Sequence, residues 1–314
     1  MSTLDRAAEL PVATTAEARR RRPRRFGDTW WRHVVALIAI AFALFPVAYV
    51  VSAAFNGDNS LSGSTLIPRH VTLENFRSLF FGEKRTTGHA TFQNAHYGSW
   101  FANSMIVAAA TALFTVLLSA LSAYAFSRFR FRGRRLGMVM LLLIQMFPQL
   151  LAVVAIYLIV FNVGEVFHFL GLNTLTALIL VYLGGAMGVN TWLMKGFFDT
   201  IPAELDESAR VDGATPAQVF WGVVLPLAAP VLAVIALIAF ISTLNDFVIA
   251  SVILETQHKL TLPVGLQQYI DQKYSEHWGP FAAGVLLAAV PAALLFASIQ
   301  RFIVQGLTQG AVKG

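Results

Sequence analysis

The chain has 314 residues, of which 56% are hydrophobic and only 13% are charged, and its mean hydropathy is +0.63. A soluble chain carries about 25% charged residues, so this composition excludes an ordinary soluble enzyme and indicates a surface that faces lipid. Cysteine is absent, which excludes disulfides, thiol catalysis and thiolate metal sites.

An Arg-rich tail, residues 1–32, precedes the first apolar stretch. Arginine clusters can neutralise the phosphates of nucleic acid, but a Pro-interrupted run next to a first span is typical of a disordered tail that sets membrane orientation. We therefore expect no nucleic-acid partner. The first apolar stretch exceeds the 7 to 15 residues of a signal-peptide core, so we expect it to be retained as an anchor.

Six stretches are apolar and long enough to cross a bilayer, which needs about 20 residues per helix. They are His33–Ala54, Ser104–Ser127, Leu136–Phe161, Thr174–Met194, Leu227–Leu254 and Phe281–Val304. The sequence therefore predicts an all-α, polytopic membrane protein with six transmembrane helices, in which residues 33–304 form one membrane domain.

The basic residues are distributed unevenly between the two sides that six spans define. Of the 23 Lys and Arg residues, 17 lie on the side of the two chain ends. Because positive residues near span ends stay cytoplasmic, we expect the N-terminus and the C-terminus to be cytoplasmic. The loops 55–103 and 255–280 are then external, and the 195–226 link and the 305–314 tail are cytoplasmic.

The 55–103 loop is rich in Gly, Ser and Thr, with one short helix predicted at Leu73–Phe80. It has no dense apolar pattern, so we interpret it as a partly ordered cap rather than as an enzyme domain. The seven His residues are scattered, and no hydrolase or metalloprotease motif is present, which disfavours catalysis and metal binding.

Within the 195–226 link, the pattern predicts two short helices with a break between them. Pro202 suits the first helical position, Gly213 suits a left-handed residue that ends a helix, and Thr215 with Gln218 fits a capping box before Pro216. An acidic surface helix of this kind is either a solvated connection or an element that docks on a partner.

Asn245 and Asp246 lie late in the fifth predicted span, and Asp246 is the only acidic residue inside the six spans. An ionisable group in a membrane segment is a functional candidate because its burial is costly. Asp246 either reaches the outer interface with a structural role or lines a translocation pathway. In the fourth span, Gly184 and Gly188 have the small-x-x-x-small spacing that permits close helix approach.

The 195–226 link also carries a motif with fixed spacing. Glu207-Ser208-Ala209, Gly213, Val223 and Leu225-Pro226 resemble the Glu-Ala-Ala…Gly…Ile-x-Leu-Pro loop, the EAA motif, of permeases in ATP-binding-cassette (ABC) importers. The departures are Ser208 for Ala and Val223 for Ile. Further runs resemble the maltose/maltodextrin permease subunits of the MalG type, namely Ala123–Gly133, Gln145–Pro148, Gly171–Thr174, Tyr182–Gly185, Gly265–Tyr269 and Gly306–Gly314.

This resemblance implies a MetI-like permease fold in which the EAA loop is a coupling helix that docks on an ATP-binding subunit. The residues that carry this contact by position are Glu207, Ser208, Ala209, Asp212, Gly213, Leu225 and Pro226. It also implies that Gln267, Gln268 and Tyr269 reach toward an external binding protein, although a plain spacer remains the alternative for that loop. The C-terminal tail would reach the interface between the ATPase subunits.

The partners implied by the resemblance are a second, MalF-like permease subunit, a homodimeric MalK-like ATP-binding subunit and an extracytoplasmic sugar-binding protein. A phosphate-binding Walker motif requires Gly-Lys-Ser/Thr, and no Lys of this chain follows a Gly. We therefore expect a non-catalytic subunit with no cofactor or metal of its own, and ATP and Mg²⁺ on the partner ATPase.

The resulting prediction is an inner-membrane permease for a maltose-type α-glucoside. Maltose, longer maltodextrins, trehalose and related sugars are not separated by these residues. One alternative to a permease subunit is a self-contained secondary transporter or channel, which would carry charged or polar residues in several spans. Another alternative is a membrane enzyme, which would need a convergent set of titratable groups.

Overall fold

The computed structural model describes residues 30–57, 68, 70–82, 96–270 and 277–311. The Arg-rich tail therefore lies outside the described residues, apart from its last three. The helices are α1 Trp30–Phe55, α2 Glu74–Phe81, α3 Tyr97–Arg128, α4 Arg134–Gln145, α5 Gln149–Val166, α6 Leu175–Phe198, α7 Ala203–Val211, α8 Pro216–Val219, α9 Leu225–Leu227, α10 Ala229–Asn245, α11 Val248–Ile253, α12 Leu262–Gln267 and α13 Trp278–Ala311. A π-helical turn, Phe220–Val224, joins α8 to α9.

The chain divides into two units, residues 1–48 and 49–314. The described part of the first unit is the N-terminal portion of α1, and the second unit contains all the other helices. No β-strand occurs in the described ranges, where the only strand-like pairing is a single bridge between Asn56 and Val71. The predicted all-α class is confirmed.

Four described helices, α1, α3, α6 and α13, are each long and apolar enough to cross a membrane, and two bent helix pairs bring the number to six. The first pair, Arg134–Gln145 with Leu150–Val166, bends by 102°, and the second, Pro216–Leu227 with Ala229–Asn245, bends by 78°. The chain is therefore a polytopic membrane protein, as predicted, with two of its six candidate spans broken.

The third predicted span, Leu136–Phe161, is a bent helix pair and not one straight helix, because the helix breaks between α4 and α5. Pro148 lies at this break, and proline lacks the backbone N–H that would continue the helical hydrogen bonds. The predicted fifth span, Leu227–Leu254, is also interrupted: α10 ends at Asn245, and α11 begins three residues later.

Helix α3 lies at the centre of the second unit, where it packs against α6 and α10. Its buried residues include a series of small side chains: Ser104, Ala108, Thr111, Ala112, Thr115, Ser119, Ala120 and Ala123. Small residues let helix backbones approach closely inside a membrane. This series explains how one helix can contact two others along its length.

Helix α3 begins at Tyr97, seven residues before the predicted span start at Ser104. The extra turns are helical because Tyr97 and Trp100 are buried against α12 and α13. The short helix predicted in the 55–103 loop is confirmed as α2. Its Asn75 side chain donates to the carbonyl oxygens of Ala54 and Asn56 at 3.0 and 2.8 Å.

Helices α4 and α6 meet at Gly188, as the small-x-x-x-small spacing predicts. A Cβ atom at Gly188 would lie only 2.6 Å from Nε2 of Gln145 and 3.0 Å from the carbonyl oxygen of Leu141. Gln145 also donates to the carbonyl oxygen of Gly185 at 2.6 Å. Gly184 has no such neighbour, so only one residue of the pair is needed for the approach.

Candidate functional site

The 195–226 and 255–280 segments lie at opposite ends of α3. The first contacts the end of α3 through Arg128, and the second contacts its beginning through Trp100. The 32 residues of α3 correspond to about 48 Å at 1.5 Å per residue. This length exceeds the roughly 30 Å hydrocarbon core, so the two segments belong to opposite faces of the membrane.

The predicted pair of helices in the 195–226 segment is observed as α7 and α8. Gly213 ends the first helix with a left-handed φ of 86°, a backbone conformation that glycine adopts without steric cost. Thr215 and Gln218 form the complete capping box, with Pro216 at the first helical position. Pro202 stands one residue earlier than predicted, as the N-cap of α7, because its ψ of 132° is extended.

Most of the motif residues face outward. The side chains of Glu207, Ser208 and Asp212 are exposed together with Gly213, and Ala209 is half-buried. Farther along the motif, Pro226 is exposed and Leu225 is half-buried. The two carboxylates, one on α7 and one at its C-cap, and the turn at Gly213 are therefore all exposed.

The inner side of α7 is attached to α3 by a buried ion pair. Nε of Arg128 lies 2.8 Å from Oδ2 of Asp206, and the two side chains are only 10% and 4% exposed. Arg128 also donates from Nη2 to the carbonyl oxygen of Ile201 at 2.9 Å. The last residue of α3 thus holds both the start and the middle of the 201–211 stretch.

A second polar contact joins the end of α6 to α3. Asp199 accepts hydrogen bonds from Ser127 at 2.7 Å and from Lys195 at 2.5 Å. Partial burial favours a higher pKa for Asp199, but these two hydrogen bonds outweigh it and hold the pKa below its ordinary value. Asp199 therefore stays ionised at neutral pH.

The 255–280 segment is attached firmly to the other end of α3. The indole Nε1 of Trp100 donates to the carbonyl oxygen of Gln257 at 2.6 Å, and Asn103 donates to the carbonyl oxygen of Leu260 at 3.0 Å. The backbone N–H of Leu262 donates to Oγ of Ser104 at 2.7 Å. These bonds satisfy backbone groups that a loop at the membrane surface would otherwise leave unpaired.

The three residues predicted to meet a binding protein occupy the end of α12 and the turn after it. Gln267 and Gln268 are half-buried, whereas Tyr269 is 8% exposed and packs edge-on against Trp100. Burial raises the pKa of Tyr269 to about 12, so its phenol remains neutral. Residues 271–276 of the same loop lie outside the described residues.

Asp246 occupies the break between α10 and α11. Its Oδ1 accepts hydrogen bonds from the backbone N–H groups of Ile249 and Ala250 at 3.1 and 3.2 Å, and from the hydroxyl of Tyr182 at 2.7 Å. These contacts give Asp246 a structural role as the cap of α11. Its neighbour Asn245 is exposed and lines a cavity of about 480 Å³ together with Gln267.

The capping role of Asp246 is testable by two substitutions. Asp246→Asn keeps a side-chain oxygen that can still cap the helix and accept from the Tyr182 hydroxyl, so we expect transport to survive. Asp246→Ala removes the cap and leaves the Tyr182 hydroxyl unpaired, which we expect to cost about 2 kcal/mol and to lower the apparent Tm of the purified protein. A loss of transport in Asp246→Asn at unchanged Tm would instead show that the charge itself is required.

Within the described ranges, no three His, Asp or Glu residues are arranged to hold a metal ion. The fold and the site together define a class: a multi-pass permease with a capped, carboxylate-bearing helix pair at one membrane face. Residues 115–309 match the family described as binding-protein-dependent transport system inner membrane component, and the chain belongs to this family. The family resemblance inferred from the EAA motif is confirmed, and the role of the chain is transport.

Two permeases illustrate how far the similarity extends. The galactooligosaccharides transport system permease protein GanQ of Bacillus subtilis (strain 168) is 37% identical over 93% of this chain and 98% of its own length. The maltose/maltodextrin transport system permease protein MalG of Vibrio vulnificus (strain YJ016) is 40% identical over 91% of this chain and 96% of its own length.

A solved structure shares the fold. It belongs to a bacterial ABC transporter involved in the import of the acidic polysaccharide alginate, and it superposes with a TM-score of 0.70. The match covers 88% of this chain and 97% of that chain at 23% identity. Nearly the whole architecture of that transporter chain is thus present here.

Two contacts of the site were not predicted from the sequence. In the sequence, Arg128 is one of the basic residues that indicate membrane orientation, and Asp206 is one of several acidic residues in its segment. Helical periodicity gives no signal for their pairing, because α7 turns Asp206 inward and leaves Leu205 42% exposed. The bond between Tyr182 and Asp246 joins residues 64 positions apart, which no local pattern could reveal.

Proposed function

We propose that this chain is the membrane-spanning permease subunit of an ABC importer that brings a carbohydrate into the cytoplasm. The observation that carries the proposal is full-length similarity, at 37% and 40% identity, to permeases named for oligosaccharides. An EAA motif that begins on the exposed helix α7 and is followed by the capped helix α8 supports the ABC assignment. The chain itself hydrolyses nothing, and the energy comes from ATP and Mg²⁺ on a separate subunit.

The cargo that we propose first is maltose or a maltodextrin, in keeping with the MalG relatives. The similarity to GanQ favours a galactooligosaccharide as the second candidate. Both are short, neutral oligosaccharides, so a translocation pathway lined by amide side chains and apolar surfaces could carry either of them. Asn245 is the candidate pathway residue of this chain, because it is exposed at a cavity mouth next to the break in the fifth span.

Coupling to ATP hydrolysis would run through α7. Its exposed carboxylates, Glu207 and Asp212, can pair with basic groups of an ATPase subunit, and Gly213 permits the sharp turn between the two docking helices. The ion pair of Asp206 with Arg128 would pass a displacement of α7 directly to α3. Because α3 packs against α6 and α10, a movement at one face would reach the spans as packed units.

The orientation follows from charge. The distribution of 17 of 23 basic residues supports cytoplasmic termini and a cytoplasmic α7. The 255–280 segment would then face an extracytoplasmic sugar-binding protein, with Gln267 and Gln268 as its half-buried amides. Partners of the MalF and MalK kind, a second permease and an ATPase dimer, would complete the transporter.

The first experiment is a mild-detergent purification of this chain from its native membrane, followed by mass spectrometry. We expect an ATPase and a second permease in a 2:1:1 ratio with this chain. Recovery of the chain alone from a chemically cross-linked membrane would contradict the importer and favour a self-contained secondary transporter.

Uptake measurements decide the substrate. In cells that lack the chain and regain it from a plasmid, we expect restored accumulation of radiolabelled maltose or maltotriose, and none in a matched strain with an empty plasmid. Restored uptake of a labelled galactooligosaccharide without uptake of maltose would overturn the maltose assignment while leaving the carbohydrate importer intact.

A further inference from the structure

A basic cavity lies between the beginning of α4 and the end of α6, and neither Asn245 nor any residue of α7 lines it. It has a volume of about 670 Å³. Its lining is Phe131, Gly133, Arg134, Arg135, Leu136, Met138, Trp192 and Lys195. Three of these eight residues are cations and four are apolar, so the cavity suits a ligand with an anionic part and an apolar part.

The cations of the cavity are only partly neutralised. Lys195 pairs with Asp199 at 2.5 Å, whereas no carboxylate in the described part of the chain lies within ion-pair distance of Arg134 or Arg135. Arg134 donates weakly to the carbonyl oxygen of Ser127, at 3.4 Å. Helix α4 also has no acidic residue in its first turn. A net positive charge of about two remains to attract an anion.

A hydrogen bond joins the two helices at the apolar side of the cavity. The indole Nε1 of Trp192 donates to the carbonyl oxygen of Met138 at 3.0 Å, which fixes the ring of α6 against the backbone of α4. Trp192 is nevertheless 39% exposed and Leu136 is 60% exposed. Tryptophan in this setting is typical of the boundary between headgroups and hydrocarbon.

An exposed apolar stripe leads away from the cavity along α4. It consists of Leu136, Val139, Met140 and Leu143, each at least 44% exposed. Their spacing of three and four residues places them on one face of the helix. A free phosphate or a small sugar phosphate would use only the cationic rim, whereas an acyl chain would also cover the stripe.

We propose that this cavity binds the headgroup of an anionic phospholipid, with its phosphate at Arg134 and Arg135 and an acyl chain along the α4 stripe. Basic pockets between transmembrane helices have the chemistry that anionic lipid headgroups require. Because residues of both α4 and α6 line the cavity, the lipid would touch the two helices that meet at Gly188. The proposal does not depend on which sugar the transporter carries.

The test uses the complete transporter, purified with its partner chains, delipidated in detergent and examined by native mass spectrometry. The probes are dioleoylphosphatidylglycerol, dioleoylphosphatidylcholine and inorganic phosphate. We expect phosphatidylglycerol to bind at least about tenfold more tightly than phosphatidylcholine. Removing one basic residue near a lipid headgroup costs about fivefold in affinity, so Arg135→Gln should weaken phosphatidylglycerol binding by about that factor and Arg134→Gln/Arg135→Gln by about 25-fold.

Arg132→Gln is the matched control, because Arg132 is exposed on the same link but does not line the cavity. We expect its affinity for phosphatidylglycerol to stay within about twofold of the unsubstituted protein. Equal losses in Arg132→Gln and Arg135→Gln would overturn the site, as would equal binding of the two lipids. If millimolar inorganic phosphate alone displaced phosphatidylglycerol, the cavity would be a site for a free anion and not for a lipid. If a partner chain covered Arg135 in the lipid-free complex, the cavity would be a protein contact.

Discussion

Glu207→Lys is expected to abolish carbohydrate uptake while the chain still inserts in the membrane. Glu207 is exposed on α7, so charge reversal should act on a partner and not on folding. Attraction between this carboxylate and a basic ATPase surface would become repulsion, which costs several kcal/mol at an interface. Uptake of labelled sugar and the amount of ATPase that co-purifies are the two measurements.

Gly213→Pro should have the same effect by a different route. Proline requires a φ near −65°, whereas Gly213 has a φ of 86° and donates its N–H to the carbonyl oxygen of Arg210 at 3.0 Å. Gly213→Ala is the graded control, because its Cβ would meet nothing within 4 Å and only the left-handed conformation costs about 1–2 kcal/mol. We expect reduced uptake from Gly213→Ala and none from Gly213→Pro.

Glu165→Lys provides the matched charge reversal, since Glu165 is exposed near the end of α5 and belongs to no proposed contact. Its uptake should equal that of the unsubstituted protein. If Glu207→Lys and Gly213→Pro transported sugar normally at equal membrane levels, the coupling role of α7 would be refuted.

Arg128→Ala is the substitution with the largest expected effect on stability. It leaves the buried carboxylate of Asp206 without its partner, and breaking a buried ion pair from one side costs about 3–5 kcal/mol. Such a loss should lower the apparent Tm of the purified transporter by about 5 °C or more. It should also detach α7 from α3, so that ATP hydrolysis continues without sugar uptake.

The double variant Arg128→Met/Asp206→Leu separates stability from coupling. Replacing both charges by apolar residues of similar size removes the unpaired carboxylate, so we expect most of the lost Tm to return. If α7 is coupled to α3 through the charged contact itself, uptake should remain low although the fold is restored. Full recovery of both Tm and uptake would mean that the pair only stabilises the fold.

The local features of this protein were predictable from sequence because they depend on neighbours along the chain. The six apolar stretches, the capping box of Thr215 and Gln218 and the left-handed Gly213 are of this kind. A segment that crosses the lipid bilayer must pair its backbone hydrogen bonds internally, so a long apolar stretch reliably indicates a helical span. Helix caps depend on residues only three or four positions apart. The motif spacing from Glu207 to Pro226 likewise indicates the family from the sequence alone.

Only the tertiary structure showed which residues meet across the fold. Long-range contacts join Arg128 to Asp206 and Tyr182 to Asp246, and the fold places the cations of α4 and Lys195 of α6 around one cavity. Pro148 is recognisable in the sequence as a residue that breaks helices, but the 102° bend at this break is seen only in the folded chain. Local periodicity in the sequence indicates which face of a helix is apolar. A buried polar side chain instead needs a hydrogen-bonding partner, and in these pairs the partner comes from a segment that is distant in the sequence.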